Sequence, residues 1–308
     1  MGDRLTDMRV FTRVARLGSF AAAARELRLS TTAVSRRVSE LEESLGARLL
    51  RRTTRRLSLT EEGTAYLERC ERVLEEIDDL ESTVADQRSS PRGRLRITTG
   101  VSFGQEQIVP LLSELLSRHP ELVVDLELAD RYVDLVADGI DVAIRIGRLP
   151  DSSLVARRLA TCRFVLCAAP AYVERAGSPV VPEDLSAHAC IVDRNTPRAW
   201  EIHSGSVLHR IVPDGPLHVN SAHAVRDAAL AGMGIALAPT FVVGRSLASR
   251  DLVEVLPGCT VADSAVYAVY PPSRHLSTKV RVFVDHVMEY IGDPPAWDRW
   301  DTARSAAD

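Results

Sequence analysis

Apolar residues recur at helical spacing three times within the first 45 residues. In Leu5 to Leu17, Met8, Phe11, Val14 and Ala15 form one stripe that stops at Gly18. Ser19 is placed to cap a second helix, Phe20 to Leu27, whose run of alanines from Ala21 to Ala24 lets a neighbour approach closely. Ser30 precedes a third helix, Thr31 to Leu45, with Val34, Val38, Leu41 and Leu45 on one face. Thr32, Arg36 and Ser39 point the other way, Ser35 sits at the edge of the stripe and Arg37 on its flank. Gly46 closes the helix. Leu49-Leu50, the run RRTTRR and the alternation Leu57-Ser58-Leu59-Thr60 then predict two short strands with an arginine tip. Three helices followed by such a hairpin make a winged helix-turn-helix, although a run of arginines is also what a solvated loop carries.

The pattern changes at Thr60. A long helix is predicted to about Gln87, with Tyr66, Cys70, Val73, Ile77, Leu80 and Val84 repeating at gaps of 4, 3, 4, 3 and 4. This heptad seam either pairs two chains or lays the helix on its own domain. Leu67 and Leu74 give a flanking stripe suited to the head. After the polar linker QRSSPRG, strands are expected at Leu95 to Thr98, Val123 to Leu128, in IDVAIRIG, at Phe164 to Ala169, and in CIVD, HVN and IALAP. Helices are expected at Ile108 to Arg118, Val133 to Asp138 and Ala222 to Leu230. Such alternation predicts parallel sheets covered by helices on both faces. The chain returns to its first lobe near Ala265 to Tyr270, giving two α/β lobes joined by two crossovers around a cleft. The fold class is α+β multidomain: a head at 1–60, a linker and dimerisation helix at 61–88, and a two-lobed α/β domain at 89–293. Within that domain lobe I takes 94–161 and 265–293 and lobe II takes 162–264, and residues 294–308 read as a mobile tail.

Charge sharpens the division. The formal net charge is −4, but residues 1–60 hold 13 arginines and 6 acids, net +7. Residues 61–90 hold 3 arginines and 10 acids, net −7. A basic head on an otherwise acidic chain is the footprint of a polyanion binder. Lys279 is the only lysine, so arginine carries the positive charge, in keeping with phosphate and guanine contacts.

The stretch FTRVARLGSFAAAARELRLSTTAVSRRVSELEESLGARLLRRTTRRLSLTEEG resembles the winged helix-turn-helix of the LysR-type transcriptional regulators. It keeps the order S-F-x-x-A-A, S-x-x-A-V-S, L-E-x-x-L-G, L-L-x-R and L-T-x-x-G. The resemblance extends through RLRITTGVSFGQEQIVPLLSELLSRHPELVVDLEL, LVADGIDVAIRIGRLPDSSLVARRLA, LCAAPAYVERAGSPVVPEDLSAHACIV and VNSAHAVRDAALAGMGIALAPTFVV, which are similar to the family's effector-binding domain, itself like type 2 periplasmic binding proteins. What this implies is a regulator that binds double-stranded DNA through Thr31, Thr32, Ser35 and Arg36, supported by Arg52, Thr53 and Arg55 of the wing. Arg37, on the flank, suits the DNA backbone. Many members carry glutamine at the position of Thr31, so the base read there does not transfer. The resemblance also implies pairing through the seam, a homodimer with a homotetramer beyond it, and contact with RNA polymerase.

Open α/β sheets bind ligands at the carboxyl ends of their strands. Thr99, Gly100, Val101 and Ser102 follow a strand and open a helix, and Asn220 and Ser221 do likewise. Family analogy sets a small-molecule effector, an anionic metabolite, between these loops with Ile146 and Gly147 beside it. Simple helix capping explains Thr99 and Ser102 as well. Arg145 is a candidate counter-charge, or else the partner of Asp141 or another internal acid.

Other classes find little support. The five cysteines are odd in number and lack CxxC, which argues against a disulfide framework or zinc and for reduced, buried thiols. No HExxH, GxSxG or P-loop occurs, and His218 and His223 near Ser221 read as core or surface residues. LAGMGIALAP holds G-x-G without the rest of a dinucleotide fingerprint. Neither enzyme activity, cofactor nor metal is expected. The start lacks a secretory signal, and the apolar stretch from Ala228 to Val243 is cut by Gly232, Gly234 and Pro239, so a cytoplasmic protein without membrane contact is expected.

Overall fold

The computed structural model describes residues 3–52, 57–85, 90–147, 149–272 and 276–299. The chain divides into two compact units, 1–89 and 90–308.

In the first unit α1 (Arg4–Leu17), α2 (Phe20–Leu27) and α3 (Thr31–Leu45) each begin on a side-chain cap. Asp3, Ser19 and Ser30 accept the amides of Leu5, Ala22 and Ala33 at 3.2, 3.2 and 3.1 Å. Val10, Phe11, Val14, Ala23, Val34, Val38 and Leu41 fill the core between them, each contributing on the order of 1.5–3 kcal/mol for the larger side chains. β1 (Leu50–Arg52) pairs antiparallel with β2 (Leu57–Leu59), Leu50 opposite Leu59. The wing tip, with Thr53 and Arg55, lies outside the described residues.

α4 (Glu61–Ala85) starts from Thr60, whose hydroxyl accepts the Gly63 amide at 2.8 Å. Gly63 is required here by close approach: a Cβ would stand 1.9 Å from the carbonyl oxygen of Leu49. Tyr66, Leu67 and Cys70 turn into the head's own core, with Cys70 1% exposed and the Tyr66 ring 5.6 Å from that of Phe11. This corrects the expected seam: Tyr66 and Cys70 are used within the chain, because α1 supplies the apolar surface they meet. Val73 is exposed and Ile77 half-buried. Leu80 and Val84 continue the helix, with side chains outside what is described.

The second unit has two five-stranded sheets. Lobe I comprises β3 (Gly93–Thr99), α5 (Val101–Phe103), α6 (Val109–Arg118), β4 (Leu122–Leu128), β5 (Val142–Ile146) and β6 (Val155–Cys162). Lobe II follows with β7 (Phe164–Ala168), α7 (Pro170–Ala176), β8 (Cys190–Asp193), β9 (Trp200–Ser204), β10 (Val207–Ile211), β11 (Leu217–Val219), α8 (Ala222–Leu230), β12 (Ile235–Pro239), α9 (Thr240–Ala248), β13 (Val253–Glu254) and β14 (Cys259–Val261). The chain then returns to lobe I as β15 (Ser264–Tyr270) and α10 (Thr278–Ile291). Strand orders are β4-β3-β5-β15-β6 and β11-β8-β12-β7-β13, with β10-β9-β14 as a separate three-stranded sheet.

The sheets are mixed, not parallel as the alternation predicts. β15 runs antiparallel to β5 and β6, and β7 runs antiparallel to β12 and β13: the strand by which the chain enters each lobe after a crossover is the reversed one. The helix expected at Val133 to Asp138 is a turn, with Asp134 accepting the amides of Val136 and Ala137 and Leu135 buried as its anchor. The helix expected from Ile108 begins at Val101 and passes through a π-turn, Gly104–Ile108, into α6.

One apolar core runs through both lobes. Phe103 of α5 meets Phe241 of α9 edge-on, ring centroids 5.1 Å apart. The segment read as a mobile tail is packed at its start. Trp297, in a short 3-10 turn, lies against Phe103 and Phe241 at 6.0 and 6.2 Å, so an aromatic residue beyond the last helix closes the joint between the lobes.

Candidate nucleic-acid interface and effector cleft

The first two turns of α3 present an open polar surface. Its buried stripe faces the core, which leaves Thr31 and Thr32 exposed in the first turn. The Arg36 side chain is 71% exposed and only loosely held by Glu40 at 3.6 Å, one turn on. Ser35 is half-buried and engaged. Arg37 departs from expectation. Its Nη1 donates to Asp7 of α1 at 2.7 Å, so this arginine is engaged within the head instead of standing free on the flank. Arg52 sits at the end of β1, at the base of the wing. Small exposed side chains at a helix start let the backbone enter a major groove, and a guanidinium there can fork onto guanine or bind phosphate.

In the second unit the carboxyl ends of the strands bring the predicted effector residues into two groups. Thr99 ends β3, next to Ile144 of β5 and so near Ile146, which ends that strand, and Gly147 just after it. Thr99 and Ser102 are buried, and the Thr99 hydroxyl has no protein partner. Gly104 packs here without room for a side chain, since a Cβ would lie 2.8 Å from the Thr99 methyl and 2.3 Å from Leu128 Cδ2. In lobe II, Asn220 follows β11 and its carbonyl accepts from Asn195 Nδ2 at 2.8 Å, while Ser221 opens α8.

Two residues that spacing did not reveal, Asp130 and Asp193, shape this cleft together with Arg145. Asp130 accepts the Val101 amide at 3.0 Å, so the chain's own carboxylate occupies the helix start that the sequence offers to a ligand anion. Asp193, at the end of β8, is 8% exposed and accepts the Asn195 amide at 2.9 Å; burial and then Asp130 push its carboxyl above the usual 3.8. Arg145 is not paired with Asp141, which instead meets Lys279 at 3.2 Å. Arg145 donates to the Ala129 carbonyl at 3.3 Å and stacks over the Tyr132 ring at 5.7 Å, with its other terminal nitrogen buried and lacking a partner. Sequence alone gives Asp130 and Asp193 no motif; only their position just past strand ends hints at them.

A polar clasp joins the lobes beside the cleft. Glu106, in the π-turn, receives His223 Nε2 at 2.9 Å and Arg226 Nη1 at 3.2 Å, both from α8. The buried thiols show no activation: burial raises Cys167 to about 12 and Cys190 to about 11. Among the described residues there is no metal-binding cluster and no helix long and apolar enough to cross a membrane.

Comparison with known proteins agrees along the chain. Residues 5–64 match the family described as "Bacterial regulatory helix-turn-helix protein, lysR family", and residues 88–292 match "LysR substrate binding domain". An HTH-type transcriptional regulator of Xanthomonas campestris pv. campestris is 41% identical over 94% of this chain and 86% of its own length. An HTH-type transcriptional repressor of Pseudomonas aeruginosa is 39% identical over 95% and 94%. The solved structure of CrgA, a LysR-type transcriptional regulator from Neisseria meningitidis, superposes with a TM-score of 0.61 at 32% identity, covering 92% of this chain and 97% of its own.

Proposed function

The chain belongs to the LysR-type family of DNA-binding transcriptional regulators with an effector-binding domain, and from that premise we propose how it divides the work. Thr31, Thr32 and Arg36 read the major groove, and Arg52, Thr53 and Arg55 of the wing hold the flanking backbone. The observation that carries this is the exposure of Arg36 on a helix whose other arginine is already engaged. A small polar metabolite binds at Thr99–Ser102, Ile146-Gly147 and Asn220-Ser221. Its acidic group meets Ser102, Thr99 and Arg145, and a hydrogen-bond donor on the same molecule answers Asp130 and Asp193. Val73, Ile77, Leu80 and Val84 pair two copies, doubling the DNA contacts. The protein acts in the cytoplasm, with RNA polymerase as a downstream partner, and turns over no substrate.

The test is fluorescence anisotropy of the full chain on duplex from upstream of its own gene, titrated with salt. Binding tighter than to random duplex and falling steeply with salt is expected. Arg36→Ala should cost about 1–3 kcal/mol of the specific term, against no change for Arg37→Ala once folding is matched. Equal affinity for all duplexes, or indifference to Arg36, sinks the reading.

A further inference from the structure

Glu42 lies on the buried side of α3, six residues after Arg36, about 9 Å along the helix axis. Its side chain is 4% exposed in a core that is otherwise mainly apolar. One carboxylate oxygen, Oε1, accepts the amides of Leu49 and Leu50 at 2.8 and 3.0 Å, and the other accepts Arg48 Nη1 at 3.0 Å. The same short stretch is gripped from behind: Thr60 Oγ1 donates to the Arg48 carbonyl at 2.6 Å, and the Thr60 amide donates to that of Leu49 at 3.0 Å. Burying a carboxylate is expensive unless it is fully bonded. This one is spent on the two amides where the chain enters the wing.

We propose that Glu42 is a positioning residue for DNA recognition, fixing the wing's root to the helix that carries Arg36 so that groove and backbone contacts are made as one rigid unit. Glu42 touches no DNA. It acts through β1, whose exposed Arg51 borders, with Arg48, an open notch of about 690 Å3 at the wing base. With the root held, Arg51 meets the duplex in a set register with α3. With the root loose, the wing arginines contribute only as a mobile charge. This rests on the DNA-binding reading above.

The test is a mutant cycle on the full chain, read by anisotropy on the upstream duplex and on random duplex. Glu42→Ala should weaken upstream binding on the order of tenfold, the scale of one lost coupling. On that background Arg51→Ala should cost almost nothing further, while Arg36→Ala keeps its full wild-type effect. Glu42→Gln, which retains an acceptor oxygen for both amides, should recover most of the loss. If Glu42→Ala does not fold, Glu42→Asp, one carbon short of the amides, carries the same cycle. Losses from Arg51→Ala that are equal in both backgrounds overturn the proposal. So does an equal shrinkage of the Arg36 and Arg51 effects, which marks general unfolding. A wild-type chain that binds neither duplex overturns the DNA-binding reading itself and leaves the clamp without its purpose.

Discussion

The Arg37 guanidinium lies 2.7 Å from Asp7 Oδ1, and Asp7 is 6% exposed. An arginine beside the reading face of α3 thereby ties that helix to α1. Removing it leaves a buried carboxylate short of a partner. Arg37→Ala should destabilise the head by about 1–3 kcal/mol in urea unfolding. Replacing both partners with apolar residues should cost less than the single change, and a single change without effect would show the pair to be idle.

Glu106 holds lobe II through two donors, His223 and Arg226, each within 3.2 Å. Because the donors share one acceptor, their effects should not add. His223→Ala and Arg226→Ala should each lower the midpoint of the effector domain slightly. The pair together should match Glu106→Ala, about 1–3 kcal/mol. Calorimetry of the four variants decides, and strictly additive losses would mean that the clasp does not act as a unit.

Asp193 supplies a pH test. Its carboxyl is held above 3.8, first by burial and then by Asp130, against the pull of the Asn195 amide. The folded state therefore keeps this proton more tightly than the unfolded chain does. The stabilising contribution is full below 3.8 and is lost as pH rises through the folded value. Asp193→Asn keeps an oxygen for the Asn195 amide and cannot ionise. Its midpoint should match wild type below the unfolded carboxyl's range, gain on it as pH rises through the folded value, and hold a constant margin above that. A difference that stays flat throughout would contradict the assignment.

Trp297 fills the angle between Phe103 and Phe241, one from each lobe. Trp297→Ala should cost about 2–4 kcal/mol, toward the low end for a half-buried ring, and should broaden the thermal transition as the lobes lose a shared contact. An unchanged midpoint in Trp297→Ala would remove Trp297 from the joint.

What the sequence disclosed followed from periodicity. The stripe Val34, Val38, Leu41, Leu45 fixed both the inner face of α3 and, by subtraction, the outward face with Thr32 and Arg36. Periodicity gives a face, not a partner. It could not tell that Arg37 meets an acid 30 positions earlier, nor that Cys70 on a heptad seam would be taken by Phe11's core. The α/β alternation located most strands of the second unit, but strand direction depends on where the chain crosses between lobes, which hydropathy does not encode. β6 was hidden by Arg157-Arg158, and Asp130 by a loop without a motif. Trp297 looked like tail because it follows Gly292 and a proline pair, signals of a chain leaving a helix but not of where it goes next.

Gly63 gives the head a mechanical property. At that residue the backbone of α4 passes so near Leu49 that even a methyl group would overlap its carbonyl. Such a joint has no slack. A change of angle at the start of α4 therefore acts directly on the backbone where the chain enters the wing, with no side chain between them to take up the movement.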